Sequence, residues 1–290
     1  VTNTNNYKIT DGGYLFYKGI RKDGMSEILS LCDLTNCEYM FSYYNSSLDT
    51  NNINLNTSNV TNMRYMFSNT SAYSIDLGGL NTSSVTDMSY MFYTNRTLQK
   101  ISNLNKLNTS NVTNMEGMFY CCDHAMLQSL DLSSFDTSNV TNMKNMFYQA
   151  KSLKTLDLSH FNTEKVTNIE SMFSSCGYLE SLNVSNFNTS GVTSLANLFS
   201  GCSNLVTLDL SSFDTSKVKN MNLLFYGCFK LEFLDIRNFD LTNVTSYYNT
   251  FANIPAGCKI IVKDDTTRDL ILAQRSSLTN IVTVAEYEAE

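Results

Sequence analysis

The sequence predicts an α/β solenoid: one coiled stack with a parallel strand ladder on one face, short helices on the other, and a cap at each end. Three observations lead there. A unit of about 26 residues recurs along most of the chain. Each copy opens with period-two alternation and closes with helical spacing. The residues that usually make turns are scarce. Of 290 residues only one is Pro and 12 are Gly, while 42% are hydrophobic and 16% charged. That apolar fraction suffices for a sizeable core and excludes disorder as the main state.

The unit is read most easily from Val60-Thr61-Asn62-Met63-Arg64-Tyr65-Met66-Phe67, which returns as Val140-Thr141-Asn142-Met143-Lys144-Asn145-Met146-Phe147. Its valine falls at Val60, Val85, Val112, Val140, Val166, Val192, Val218 and Val244, with a degenerate copy at Leu34-Thr35-Asn36-Cys37-Glu38-Tyr39-Met40-Phe41. That makes nine copies. In the first half of a unit Leu208 and Leu210 alternate with polar neighbours, which is strand periodicity. In the second half Val140, Met143, Met146 and Phe147 stand at i, i+3, i+6 and i+7, the face of a two-turn helix. Between them, segments such as Asp136-Thr137-Ser138-Asn139 offer Asx and Ser/Thr turns in place of Gly and Pro.

One strand and one short helix cannot bury an apolar face alone, so the copies must stack, at about 4.8 Å per strand. A 20–29-residue period with Leu at strand positions is that of the leucine-rich-repeat class, a right-handed solenoid. A β-helix is the structural rival, and the Met-Phe helical face argues against it. Residues 1–33 are expected to be an N-terminal cap, with a hairpin around Asp11-Gly12-Gly13-Tyr14 and a short helix. Residues 34–254 hold the repeats. Residues 255–290, after the lone Pro255, read as a strand, a helix and a strand.

The pattern Leu-x-x-Leu-Asp-Leu-Ser-x-Phe-Asp-Thr-Ser-x-Val-Thr-Asn-Met-x-x-Met-Phe-x-x-Cys, kept closely in residues 153–176 and 205–228, resembles the BspA-like leucine-rich repeat. The resemblance covers about residues 34–254. It implies a surface or secreted protein of a bacterium, or sometimes a protozoan parasite, associated with adhesion and with binding host matrix or other cells. It brings no catalytic residues.

The remaining residues are weighed for chemistry. Cys122, Cys176, Cys202 and Cys228 occupy one repeat position, with Ala150 between them, which suggests a small buried site. Cys32 and Cys37 are the pair best placed for a disulfide, and without C-x-x-C no zinc site is expected. His124 and His160 lack a partner for a catalytic dyad. Asp76, Asp131, Asp157, Asp209 and Asp235, interrupted by Asn183, form a column facing outward from the strands. It reads either as a cation-binding or basic-ligand strip on the concave face, or as solvated carboxylates bonded to nearby Ser and Thr. An Asn/Asp column (Asn56 to Asp240) and a Thr column (Thr57 to Thr215) read as structural ladders, and ice binding would want a second Thr column beside the first. Tyr65, Tyr90, Tyr93, Tyr120 and Tyr148 are the best candidates for a partner patch, on helix faces turned from the core. The alternative is tyrosines packed between adjacent coils. Sequons at Asn59, Asn111, Asn139 and Asn243 follow from the repeat itself.

A net charge of −7 argues against nucleic acid and anionic membrane as partners. No apolar run is long enough to span a bilayer, and the first residues do not read as a signal peptide. The expectation is a non-enzymatic binding or adhesion module, extracellular or at a cell surface. Its partner would be a protein or glycan, with no cofactor and no metal. A structural spacer in a larger cell-wall protein is the alternative.

Overall fold

The structure is a computed structural model and describes residues 8–19, 25–53, 55–122 and 127–289. In chain order its elements are β1 (Ile9–Asp11), α1 (Met25–Leu29), β2 (Cys32–Asn36), β3 (Leu48–Asp49), β4 (Ser74–Asp76), β5 (Lys100–Ser102), β6 (Thr155–Asp157), β7 (Ser181–Asn183), β8 (Thr207–Asp209), β9 (Phe233–Ile236), β10 (Lys259–Val262), α2 (Asp265–Gln274), β11 (Ile281–Thr283) and α3 (Val284–Glu288). Among the described residues every strand pairing is parallel: β1 with β2, β3-β4-β5, β6 with β7, and β8-β9-β10-β11. Strands one repeat apart therefore lie side by side, as in a solenoid. Leu208, Leu234, Ile260 and Ile281 share one column, and Leu48, Ile75 and Ile101 another.

The strand ladder is as the sequence predicts. The helical face is not. The three described α-helices all lie outside the repeats. Where helices were expected, one-residue parallel bridges run Asn36–Asn62–Asp87–Asn114–Asn142–Asn168, each followed by two tight turns. In the coil of Val60, the Met66 and Ser68 amides donate to the Met63 and Tyr65 carbonyls. The amides of Met63, Tyr65, Phe67 and Asn69 donate across to Asp87, Ser89, Met91 and Tyr93 of the next coil. A helix would send every amide four residues back. Here alternate amides stay within the turn or cross to the neighbour. Tyr65 and Asn69 take φ of 54° and 53°, and the same two positions are left-handed at Asn145 and Gln149 and at Ser171 and Ser175. That conformation costs a non-glycine residue about 1–2 kcal/mol, which the crossing hydrogen bonds offset. Apolar residues at i, i+3, i+6 and i+7 suit two successive turns as well as a helix, and eight residues are too few to separate them.

The inward corner of these turns builds the core. Ten phenylalanines, from Phe16 and Phe41 through Phe147 and Phe173 to Phe225 and Phe251, stack with ring centroids 5.4–6.0 Å apart. Three residues on, Cys176, Cys202 and Cys228 are buried, and their Sγ atoms donate to the Phe147, Phe173 and Phe199 carbonyls of the preceding coil at 3.0, 3.1 and 3.2 Å. Asn95 fills the same position and donates Nδ2 to the Phe67 carbonyl at 2.8 Å. In the Cys coils the column therefore supplies a second donor to a carbonyl that already accepts the amide three residues on. Burial pushes the Cys176 and Cys228 thiols up to about 12. All eight cysteines are thiols. Cys32 and Cys37, the pair best placed for a disulfide, are not bonded, because β2 runs extended between them. At ~3.3 Å per residue its ends lie roughly 13 Å apart, beyond the ~7 Å Cα limit for a disulfide.

The N-terminal end also departs from expectation. Instead of a hairpin, β1 pairs in parallel with β2. Residues 9–18 form a further degenerate coil, with Tyr14 and Lys18 left-handed and the Phe16 ring stacked on Phe41. Gly12 and Gly13 stand where other coils have Met and a polar residue, which disguises the repeat. At the other end β10 and β11 continue the strand ladder. Asp264 caps α2 through Thr267, and Thr283 with Glu286 forms a capping box on α3.

Candidate partner-binding surface

The left-handed turn positions carry the aromatic surface. Tyr14, Tyr39, Tyr65 and Tyr90 stack in four consecutive coils, with centroids 4.8, 4.6 and 4.8 Å apart and planes within 15°. The next coil has Gly117, whose Cβ, if present, would lie 2.3 Å from Cε1 of Tyr90. The Tyr90 ring therefore lies over that glycine and the column ends. Three positions along the turn a second column begins, Tyr93–Tyr120–Tyr148, at 4.9 and 4.6 Å. Edge contacts of 5.7 Å (Tyr65–Tyr93) and 5.6 Å (Tyr90–Tyr93) join the two columns. The five tyrosines singled out in the sequence thus meet in one half-buried cluster, on turns and not on helices. Tyr14 and Tyr39 belong to it and were missed, as were Tyr17 and Tyr43, which join through edge contacts of 5.4 Å. The signal for Tyr14 and Tyr39 was Gly12-Gly13-Tyr14-Leu15-Phe16 beside Cys37-Glu38-Tyr39-Met40-Phe41.

Because the rings stack on one another, their faces are occupied and their edges and hydroxyls point away from the column. Tyr90 Oη donates to Glu116 Oε1 at 2.7 Å, and Asn142 Nδ2 donates to the other carboxylate oxygen at 3.0 Å. The Arg64 guanidinium lies over Tyr65 at 5.1 Å. Burial, then the Glu116 carboxylate, push the Tyr90 phenol up. Burial and the neighbouring Tyr148 push Tyr120 up to about 12. Both phenols remain protonated donors at neutral pH.

The acidic column has a different arrangement. Asp131, Asp157 and Asp209 are exposed, and each accepts the backbone N–H two residues on, from Ser133, Ser159 and Ser211. Asp76 does the same with Gly78 and also accepts from Asn51 and Asn103. Asp235 is buried and held by Arg237 through four hydrogen bonds. Each carboxylate thus fastens its own Asx turn. Hydrogen bonds to the charged form hold Asp131 and Asp157 below the usual carboxylate range.

The Thr column is internal. Thr57, Thr82, Thr109, Thr137, Thr163, Thr189 and Thr215 are buried, and each Oγ1 donates to a carbonyl of the next coil at 2.8–3.0 Å. The Asn/Asp column beside it makes Asx turns, as Asn108 does with Ser110 and Asp214 with Ser216. The sequon amides of Asn111, Asn139 and Asn243 donate to Ser83, Ser110 and Ser216 of the preceding coil. His160 donates Nε2 to the Leu132 carbonyl at 2.7 Å, while His124 lies outside the described residues.

A family described as Mycoplasma protein of unknown function, DUF285, matches at residues 35–156, 100–183 and 153–263. The chain belongs to that family. The DUF285 matches begin at the first recognisable copy and end one residue past β10, so they follow the stack of BspA-like coils. A leucine rich cell surface protein from Faecalibacterium prausnitzii A2-165, known from a crystal structure, is similar at 15% identity, over 100% of this chain and 74% of that one, with a TM-score of 0.33. The solenoid assigned to this DUF285 chain rests on its own coil-to-coil hydrogen bonds. No curated protein matches it. Among the described residues no helix is long and apolar enough to cross a membrane, and no group of three or more His, Cys, Asp or Glu side chains could hold a metal.

Proposed function

We propose that this chain is the binding module of a surface or secreted protein, has no chemistry of its own, and meets a protein or glycan partner through the tyrosine cluster. One observation carries the reading: nine tyrosines from six coils join into a single half-exposed aromatic surface. Clustered Tyr favours interfaces because each ring adds contact area at low entropy cost. Since the ring faces are taken, the partner would be met by ring edges and phenol hydroxyls. That favours partners rich in hydrogen-bond acceptors over sugars that need an open ring face. The turns behind the rings are pinned by crossing hydrogen bonds, so the surface is preorganised.

The test is capture from an array of matrix proteins and glycans by the chain and by a Tyr93→Ser, Tyr120→Ser double variant. Specific capture lost in the variant, with unchanged circular dichroism, supports the reading. Equal capture by both removes the tyrosine surface as the site. No capture at all favours a spacer role, for which the unbroken Phe stack would serve as a stiff rod.

A further inference from the structure

The crossing ladder has a direction, and its C-terminal end is open. In the coil of Val218 the amides of Met221, Leu223, Phe225 and Gly227 donate to carbonyls of Ser246, Tyr248, Thr250 and Ala252. The equivalent amides of the last coil belong to Tyr247, Asn249, Phe251 and Asn253. Among the described residues no coil follows them on this face, and none of the four has an acceptor. The strand face does continue, through β10 and β11. The result is a notch of about 460 Å³ between the last turns and the end of α2, with Gln274 and Arg275 on its far wall. Arg275 is fixed there by Nη1 on the Phe251 carbonyl and Nε on Ser277, which leaves Nη2 without a bond among the described residues. No carboxylate lines the notch, although the chain carries a net charge of −7.

We infer that this notch binds an acidic, turn-forming peptide of another protein, whose main chain takes up the two tight turns of the missing coil. Interior coils show what such an edge accepts: carbonyls on alternate residues of a neighbouring segment, one for each free amide. Adding a polypeptide segment to an open ladder edge is a known recognition mode. A single phosphate or carboxylate is too short to use four donors spread over seven residues. Among the described residues, a second copy of this chain offers unbonded carbonyls at Gly13, Leu15 and Tyr17. It would also bring a strand-face half of its own to a face that β10 and β11 already continue. A short peptide has no such strand-face half. The acidic character follows from Arg275 and from the absence of any carboxylate on the walls. The site lies at the opposite end from the tyrosine cluster and does not depend on it.

The probe is a synthetic, fluorescein-labelled peptide, Glu-Val-Thr-Gly-Glu-Val-Thr-Gly-Glu, with glycines four apart as the left-handed turn positions are, titrated into the full chain and followed by anisotropy and by amide hydrogen exchange. Saturable binding is expected, with exchange at Tyr247, Asn249, Phe251 and Asn253 slowed by about fivefold or more. Arg275→Gln should weaken binding by about tenfold, as expected for loss of a charged hydrogen bond. Gln274 is exposed at the end of α2, so Gln274→Trp should fold, fill the notch and abolish binding. The inference is overturned by absence of binding at millimolar peptide, or by binding indifferent to both variants. Equal protection of the four amides by inorganic phosphate alone, or by raising the protein concentration without peptide, also overturns it.

Discussion

Replacing Thr163 by valine keeps the shape of the side chain and deletes one hydroxyl. Thr163 is 2% exposed. Its Oγ1 donates to the Asn188 carbonyl at 3.0 Å and accepts the Asn188 N–H at 2.7 Å, closing both ends of one peptide residue in the next coil. Valine leaves that N–H and that carbonyl without partners. At about 1–3 kcal/mol for each buried group left unsatisfied, the loss should total roughly 2–6 kcal/mol. Thr163→Ser keeps the hydroxyl and removes one methyl, worth about 1 kcal/mol. The hydrogen-bond reading therefore orders the proteins wild type, serine, valine. A reading based on packing alone exchanges the last two. Urea unfolding followed by circular dichroism measures this, with the three m-values compared so that a change in the unfolded state is not mistaken for stability. Coils in a solenoid stabilise their nearest neighbours, so a mid-stack site should show the full effect. A valine variant as stable as the serine variant would refute the claim that this column is a hydrogen-bond ladder.

Three further outcomes are expected. Gly117→Ala places a Cβ 2.3 Å from Tyr90 at a φ of 57°, so it should cost about 1–3 kcal/mol and alter the near-UV tyrosine dichroism; an unchanged spectrum contradicts the contact. Because burial raises the thiols of Cys176 and Cys228 to about 12, Ellman's reagent should reach them and Cys202 only in urea, and native labelling at the rate of a free thiol would count against the column. Asp76, Asp136, Asp214 and Asp240 are lowered mainly by hydrogen bonds from Asn103, Ser138, Ser216 and Thr242. Folded values below the unfolded ~3.9 give stability that is present at neutral pH and lost as pH falls through the folded values. Tm should hold from pH 7 to 5 and drop below about pH 4, and a rise on acidification would show the sign to be wrong.

Much of this was legible in the residues themselves. The spacing of Val60, Val85, Val112 and their successors showed the coils, and alternation at Leu208 and Leu210 showed which face turns inward. Runs such as Asp136-Thr137-Ser138 announced turns made without Gly or Pro, and Asp136 does accept the Ser138 amide. The N-terminal coil was hidden by Gly12 and Gly13, which read locally as a hairpin. Tyr14 and Tyr39 were lost with it. The Cys column read as a small apolar site; its bond to a phenylalanine carbonyl one coil away has no sequence signature except Asn95 at the same position.

By itself the sequence determined the period, the inward residues and the side-chain turns, because each depends on neighbours within a few positions. Tertiary structure decided what the Val-Thr-Asn-Met-x-x-Met-Phe arcs become. Within one coil, a helix and a pair of turns bury the same Met and Phe residues. They differ in the acceptor each amide finds: four residues back, or 24–27 residues ahead in the next coil. That acceptor exists only when the next coil is in place. The same stacking gathers tyrosines from six coils into one surface. At the last coil it leaves four amides without acceptors among the described residues.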